Sequence, residues 1–201
     1  MGRKKRAGNP WLVKNLSETG LPMPGREGIY LQADRLALAC RDTREARLDL
    51  LLEVGFAAFR RERRILFFSV RSPALVYTGM KNRFAPDVSR REFEGRALEH
   101  FLALEKEGLS FAAFAENLKL HAGFDAFNVC LLDAGVFRED RSPPQILAFL
   151  EKQIARFPGV VWLLAADGSP EWRRLGSAAP LRLGFQKPRA ANRPVPSLYI
   201  A

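Results

Sequence analysis

The chain is poor in the residues that build metal centres and nucleophilic sites. Its 201 residues include two cysteines, Cys40 and Cys130, and two histidines, His100 and His121. No Cys/His spacing suggests a metal site, and no Ser/His/Asp or Cys/His arrangement marks a nucleophile, so no metal and no other cofactor is implied. Each cysteine lies inside an apolar stretch. That reads as buried free thiols in a cytoplasmic protein, with a disulfide as the alternative. Long apolar runs are missing too: none reaches the ~18 residues of a membrane span. The basic start "MGRKKR" is not followed by a signal-peptide core.

Acid is missing where base is plentiful. Residues 1–14 carry Arg3, Lys4, Lys5, Arg6 and Lys14 without a carboxylate. Residues 165–201 carry Arg173, Arg174, Arg182, Lys187, Arg189 and Arg193 against Asp167 and Glu171. Of the net charge of +10, these ends hold +5 and +4, and the middle is close to neutral. Basic ends on a neutral body point to a polyanionic partner, most simply nucleic acid. A solubilising tail is the alternative. Trp11, next to the first run, and Trp172, beside Arg173 and Arg174, could stack on bases or pack on the domain.

Periodicity divides the chain into an arm, residues 1–27, and a domain, residues 28–201. The arm is rich in Gly, Pro and charge. "GIYLQ" (28–32) reads as a short strand. "RLALAC" (35–40), "RILFFSV" (64–70), "FNVCLLDAG" (127–135) and "GVVWLLAAD" (159–167) are continuous apolar runs of strand length, as buried parallel strands require. After the turn "RDTREAR" (41–47), Leu48, Leu51, Leu52, Phe56 and Phe59 form one helical face. That helix ends in Arg60, Arg61, Arg63 and Arg64, which suits a helix C-terminus. "SRRE" (89–92) is a capping box, opening a helix expected to run to about Gly108 with Phe93, Ala97, Phe101, Leu102 and Leu104 inward. "FAAFAENLKL" (111–120) reads as a short helix. "SPPQ" (142–145) is a second capping box, with Pro143 at the first helical position. Its helix should bury Ile146, Leu147, Leu150, Ile154 and Phe157. "PLRLGF" and "PSLYIA" read as closing strands. The fold class is α/β: a mostly parallel sheet flanked by helices, ending in a C-terminal β-hairpin.

This order resembles the RecA-like ATPase fold, and within it the C-terminal motor domain of DnaB-type replicative helicases. "ACRDTREARLDLLLEVGFAAFRRERRILFFSV" resembles that family's strand, P-loop, helix and second strand. "DAFNVCLLDAG" resembles the Walker B strand, with Asp133 at the acidic position, and "GVVWLLAAD" the following sensor strand. "LGFQKPRAANRPVPSLYIA" resembles the closing hairpin, with Lys187 and Arg189 on its Lys-x-Arg pair. The short "TGLP" (19–22) is similar to the entry segment.

The departures concern chemistry. A P-loop needs glycines so that backbone N–H groups can cradle phosphate, Lys to reach the terminal phosphates, and Ser or Thr for magnesium. Glu45, Ala46 and Arg47 stand at the Gly-Lys-Thr core. Glu45 would repel phosphate on the scale of ~4 kcal/mol for unit charges ~4 Å apart near the surface. Arg71 stands where the family has its catalytic glutamate, and Ala165 and Ala166 where a polar sensor is expected. The resemblance therefore implies a pseudo-ATPase, not an enzyme, with residual nucleotide contact confined to Arg41, Arg44, Arg47 and Asp133. It implies partners among nucleic acids, DNA first, or replication and recombination proteins. DNA contacts would come from Arg3, Lys4, Lys5, Arg6, Trp172, Arg173 and Arg174, and a subunit or partner contact from Lys187 and Arg189. Without a bridging nucleotide, a monomer or weak oligomer is expected. A protein–protein regulator on the same scaffold is the alternative, and an enzyme using Asp34, Asp42 and Asp133 is a third reading.

Overall fold

A computed structural model describes residues 21–22, 30–124 and 127–178, without the side chains of 96–98, 123–124 and 176–178. The elements are β1 (Leu21–Pro22), β2 (Tyr30–Leu31), β3 (Arg35–Cys40), α1 (Arg44–Phe59), β4 (Ile65–Ser69), α2 (Pro73–Phe84), α3 (Arg90–His100), β5 (Phe101–Glu105), α4 (Phe111–Phe124), β6 (Val129–Asp133), a 3-10 turn (Ala134–Val136), α5 (Pro143–Ile154), β7 (Val161–Ala166) and α6 (Pro170–Ala178). Strands β3 to β7 form one five-stranded sheet in the order β3-β7-β6-β4-β5, and every pairing in it is parallel. The parallel sheet flanked by helices is the expected fold class, and it is consistent with a RecA-like arrangement. The C-terminal hairpin lies outside the described residues.

Chirality explains which helix covers which face. A strand-to-strand crossover in a parallel sheet is right-handed. The chain steps one way along the sheet from β3 to β4 to β5, so α1, α2 and α3 lie on one face. It then steps back from β5 to β6 to β7, so α4 and α5 lie on the other. The two cores follow this division. Leu51, Leu52, Val54, Val76, Met80 and Phe93 pack with Ala37, Phe67 and Leu131. Phe114, Leu118, Ile146, Leu150 and Trp172 pack with Leu38, Phe68, Cys130 and Trp162. Side chains alternate between these cores along each strand, so strands covered on both faces read as unbroken apolar runs.

The structure differs from the sequence reading at four places. The helix expected to reach Gly108 stops at His100, and "FLALE" becomes the edge strand β5, pairing Ile65 with Phe101. Apolar residues at 93, 97, 101 and 104 fit a helical face, but "FLALE" also fits alternation, and pairing with β4 decides it. Phe101 and Ala103 are buried, while Leu102 is 38% exposed. Helix α2 was not anticipated, although Ser72 and Pro73 stand at its N-cap and first position. Helix α6, which carries Trp172, is likewise absent from the sequence reading. The folded body also reaches back into the span read as an arm, since Leu21 is 1% exposed and pairs with Leu31.

A side chain closes the β5 edge. The Lys106 N–H donates to the Ser69 carbonyl (2.8 Å). By the alternation of a parallel ladder, the backbone groups of Phe101 and Ala103 then point away from β4. The Tyr77 hydroxyl takes both: it donates to the Phe101 carbonyl (2.7 Å) and accepts from the Ala103 N–H (3.4 Å). One hydroxyl stands in for part of a missing strand, which blunts an edge that would otherwise template association. Burial pushes the Tyr77 phenol above its usual range. Tyr77→Phe keeps the ring against Phe101 but removes both bonds. We expect a loss of about 1–3 kcal/mol in urea unfolding, together with concentration-dependent association in sedimentation.

Candidate functional site

In a parallel sheet the loops at the carboxyl ends of the strands hold ligands. Here those loops carry the turn Arg41–Thr43, Arg71, Asp133 and residues 167–169. Helix α1 begins with Thr43 as N-cap, its hydroxyl oxygen accepting from the Ala46 N–H (3.1 Å). This is an ordinary side-chain cap. Glu45, Ala46 and Arg47 lie within the first turn of the helix, and no glycine loop precedes them.

Three ion pairs tie this edge together. Arg47 reaches from α1 to Asp133 at the end of β6, Nε to Oδ1 at 3.2 Å, with side-chain exposures of 11% and 3%. The same Oδ1 accepts from the Gly135 N–H (3.0 Å), capping the 3-10 turn. Arg71 pairs with Glu45 at 3.1 Å, and Arg173 of α6 pairs with Asp42. Glu45, which stands at the glycine of the Gly-Lys-Thr core in the resemblance, and Arg71, which stands at the catalytic glutamate, thus neutralise each other. Asp133 has one carboxylate oxygen, Oδ1, engaged by both Arg47 and its own turn.

Gly168 shows how closely this edge is packed. A Cβ on it would stand 1.8 Å from Asp42 Oδ1 and 2.9 Å from the Arg173 guanidinium. A side chain there would push the exposed Asp42 carboxylate and Arg173 guanidinium aside, and the loop is held by the Ser169 N–H donating to Asp167 Oδ1 (2.9 Å). Arg41 turns back on its own strand, its guanidinium donating to the Cys40 carbonyl (2.9 Å). Of the arginines expected at a nucleotide, only Arg44 stands exposed at this edge without an acidic partner among the described residues.

The other sequence candidates fall elsewhere. Trp172 is 4% exposed and belongs to the core under α6. Its ring is not available to stack on a base, and packing is the role it has. Arg173 is held by Asp42, and Arg174 is exposed with a contact of its own. Arg3, Lys4, Lys5, Arg6, Trp11, Lys187 and Arg189 lie outside the described residues. Asp34 sits at the opposite end of the sheet, accepting from the Gly159 N–H (2.6 Å), so it is not grouped with Asp42 and Asp133. A cleft between α2 and α3 has a volume of about 240 Å³, below the about 300–1,000 Å³ usual for small-molecule sites. Its charged lining is already committed: Lys81 donates to the Pro86 carbonyl and Arg90 pairs with Glu94. Among the described residues no group of His, Cys, Asp and Glu could hold a metal ion. No helix of the described residues is long and apolar enough to cross a membrane.

Cys40 and Cys130 are buried free thiols. They stand on β3 and β6 with β7 between them. Two strand spacings, about 9–10 Å, exceed the reach of a disulfide. Burial pushes the Cys40 thiol up, helped by Asp167 and opposed by Arg173 and Arg41. Burial pushes Cys130 well above its ordinary range. No family model matches the chain, and no curated protein matches it.

Sequence reasoning placed Asp133 at a strand end, but it could not name Arg47 as its partner. The pair spans 86 residues, and strand order alone brings the two together. We expect Arg47→Met to cost about 3 kcal/mol in chemical unfolding, because it strands the buried Asp133 carboxylate. Asp133→Leu should cost a similar amount and the double variant much less, so the cycle should show strong coupling. Both thiols should resist a thiol reagent in the folded chain at mild alkaline pH and react at once in denaturant. Their raised values stabilise the fold fully below the ordinary thiol value of 9.0, and this stability is lost as pH rises above it.

Proposed function

We propose that the chain is a non-catalytic, RecA-like module, similar in its motifs to the motor domain of DnaB-type replicative helicases, that binds nucleic acid. The observation that carries the first part is the Arg47–Asp133 pair. It joins the start of α1 to the end of β6, where a P-loop protein would place phosphate and magnesium, and it gives the one acid kept from the catalytic set a guanidinium in place of a metal ion. Arg71 and Glu45 add to this reading, since a mutual pair leaves neither to orient water. Loss of several parts of such a site costs orders of magnitude in rate, because phosphoryl transfer relies on positioning and electrostatics.

The nucleic-acid part rests on charge. A net charge of +10 and a sequence pI near 10.2 are the footprint of a polyanion partner. DNA is the first candidate, with a replication or recombination protein as a further partner on the same scaffold.

The test is fluorescence anisotropy of a labelled single-stranded DNA oligonucleotide, titrated at low and moderate salt, with and without ATP and magnesium. We expect affinity that falls steeply with salt and ignores ATP, and no nucleotide turnover. Binding that requires ATP would overturn the pseudo-ATPase reading. Absence of binding at low salt would overturn the nucleic-acid reading and favour a protein–protein role.

A further inference from the structure

The arginines of this domain are divided between the two ends of the sheet in an unequal way. At the carboxyl end, Arg47, Arg71 and Arg173 are each paired with an acid. At the amino end five are not. Arg60, Arg61 and Arg63 follow α1, Arg35 opens β3, and Arg156 precedes β7. Arg35, Arg60, Arg61 and Arg156 are exposed and Arg63 is half-buried. None of the five has an acidic partner among the described residues.

Hydrogen bonds between the strand entries show that these residues share one edge. The Asp34 N–H donates to the Val160 carbonyl, the Val161 N–H to the Asn128 carbonyl, and the Asn128 N–H to the Arg64 carbonyl. The Arg64 N–H returns to the Asn128 side chain (2.8 Å). This links the entries of β3, β7, β6 and β4 in one row. Three strand spacings separate β3 from β4, about 14 Å. That length matches the axial rise of about four phosphates along one DNA strand.

The turn that carries Arg60, Arg61 and Arg63 is rigid. Arg63 N–H bonds to the Ala58 carbonyl and Glu62 N–H to the Phe59 carbonyl, at 3.1 and 2.9 Å. These are the two bonds of a Schellman turn, and Glu62 holds its left-handed position with φ 54°. Arg61 also donates to the Ala57 carbonyl (3.1 Å). Among the described residues the acids facing the edge are few. Glu62 and Glu99 are exposed, Asp34 is tied to Gly159, and Glu151 has a contact of its own.

We propose that the amino-terminal edge of the sheet, with Arg60, Arg61 and Arg63 at its centre and Arg35 and Arg156 along it, binds the phosphate backbone of nucleic acid. The proposal deepens the reading of the chain as a nucleic-acid binder and rests on it. It puts the contact at the end of the sheet opposite the closed nucleotide position, on the folded body rather than on the basic ends. Phosphate contacts of this kind position a partner without reading its sequence. An anionic membrane is usually gripped by an amphipathic helix lying flat, whereas these side chains stand on a helix-ending turn, so nucleic acid fits better.

The experiment uses the full chain, a labelled DNA duplex and a salt series. Arg60→Gln/Arg61→Gln/Arg63→Gln is compared with Arg91→Gln/Lys106→Gln/Lys119→Gln, which removes equal charge elsewhere. We expect the first variant to bind about tenfold or more weakly and its log–log salt slope to shrink by about 2–3 units, with the second changed far less. Glu62→Gln, which keeps every arginine, should bind severalfold more tightly and guards against misfolding of the triple variant. Equal losses in the two triple variants, or an unchanged Glu62→Gln, would overturn the surface and leave the nucleic-acid reading standing. No binding by the unmodified chain at low salt, or binding to phosphatidylserine vesicles alone, would overturn both.

Discussion

Five parallel strands cannot be left half covered. Their backbone groups are paired in register and their side chains project to both faces, so each face needs its own layer of helices. Right-handed crossovers then assign each helix its side according to which way the chain is moving along the sheet. This constraint places Asp133 on a central strand and Arg47 at the start of the helix packed across from it. It also gathers every strand entry on one edge and every strand exit on the other. The two functional arguments, one about a closed site and one about an open cationic edge, are both consequences of that single polarity.

At the exits, charge is internally consumed. Asp42, Glu45 and Asp133 each face a guanidinium from a different element, and Gly168 leaves room for Asp42 and Arg173 to meet. Of the three pairs Arg47–Asp133 is the buried one; a pair of that sort contributes little net stability relative to a well-packed apolar contact, yet it penalises the loss of either partner. They favour one arrangement of the loops rather than a deeper energy minimum. An edge closed in this way sets a guanidinium beside Asp133, where a P-loop site would need a metal ion.

Much of the sheet was legible before any coordinates. "RLALAC", "ILFFS", "VCLLD" and "VWLLAA" are apolar but for an end residue in three of them because they are covered on both faces, and all four are strands. "FLALE" was misread because an edge strand alternates over only a few residues, and its Phe and Leu also complete the face of the preceding helix. Helices α2 and α6 begin with Ser-Pro, the same local signal that was recognised in "SPPQ", but their apolar residues are too few to assert a face. The arginines after α1 were visible as a helix ending. Their lack of acidic neighbours was not, because it depends on which loops the strand order brings beside them. What sequence could not supply in each case was long-range pairing.

The junction between α3 and β5 carries a consequence for how this chain can change length. Helix ends at His100 and strand begins at Phe101 with no residue between them. Strand faces alternate with every residue. A single-residue insertion or deletion at this joint would therefore have no loop in which to be absorbed. It would turn Phe101 and Ala103 out of one core, present Leu102 in their place, and carry the Phe101 carbonyl away from Tyr77. Length variation is far more easily accommodated at the exposed turn between Arg138 and Arg141, which leaves both cores and the edge plug untouched.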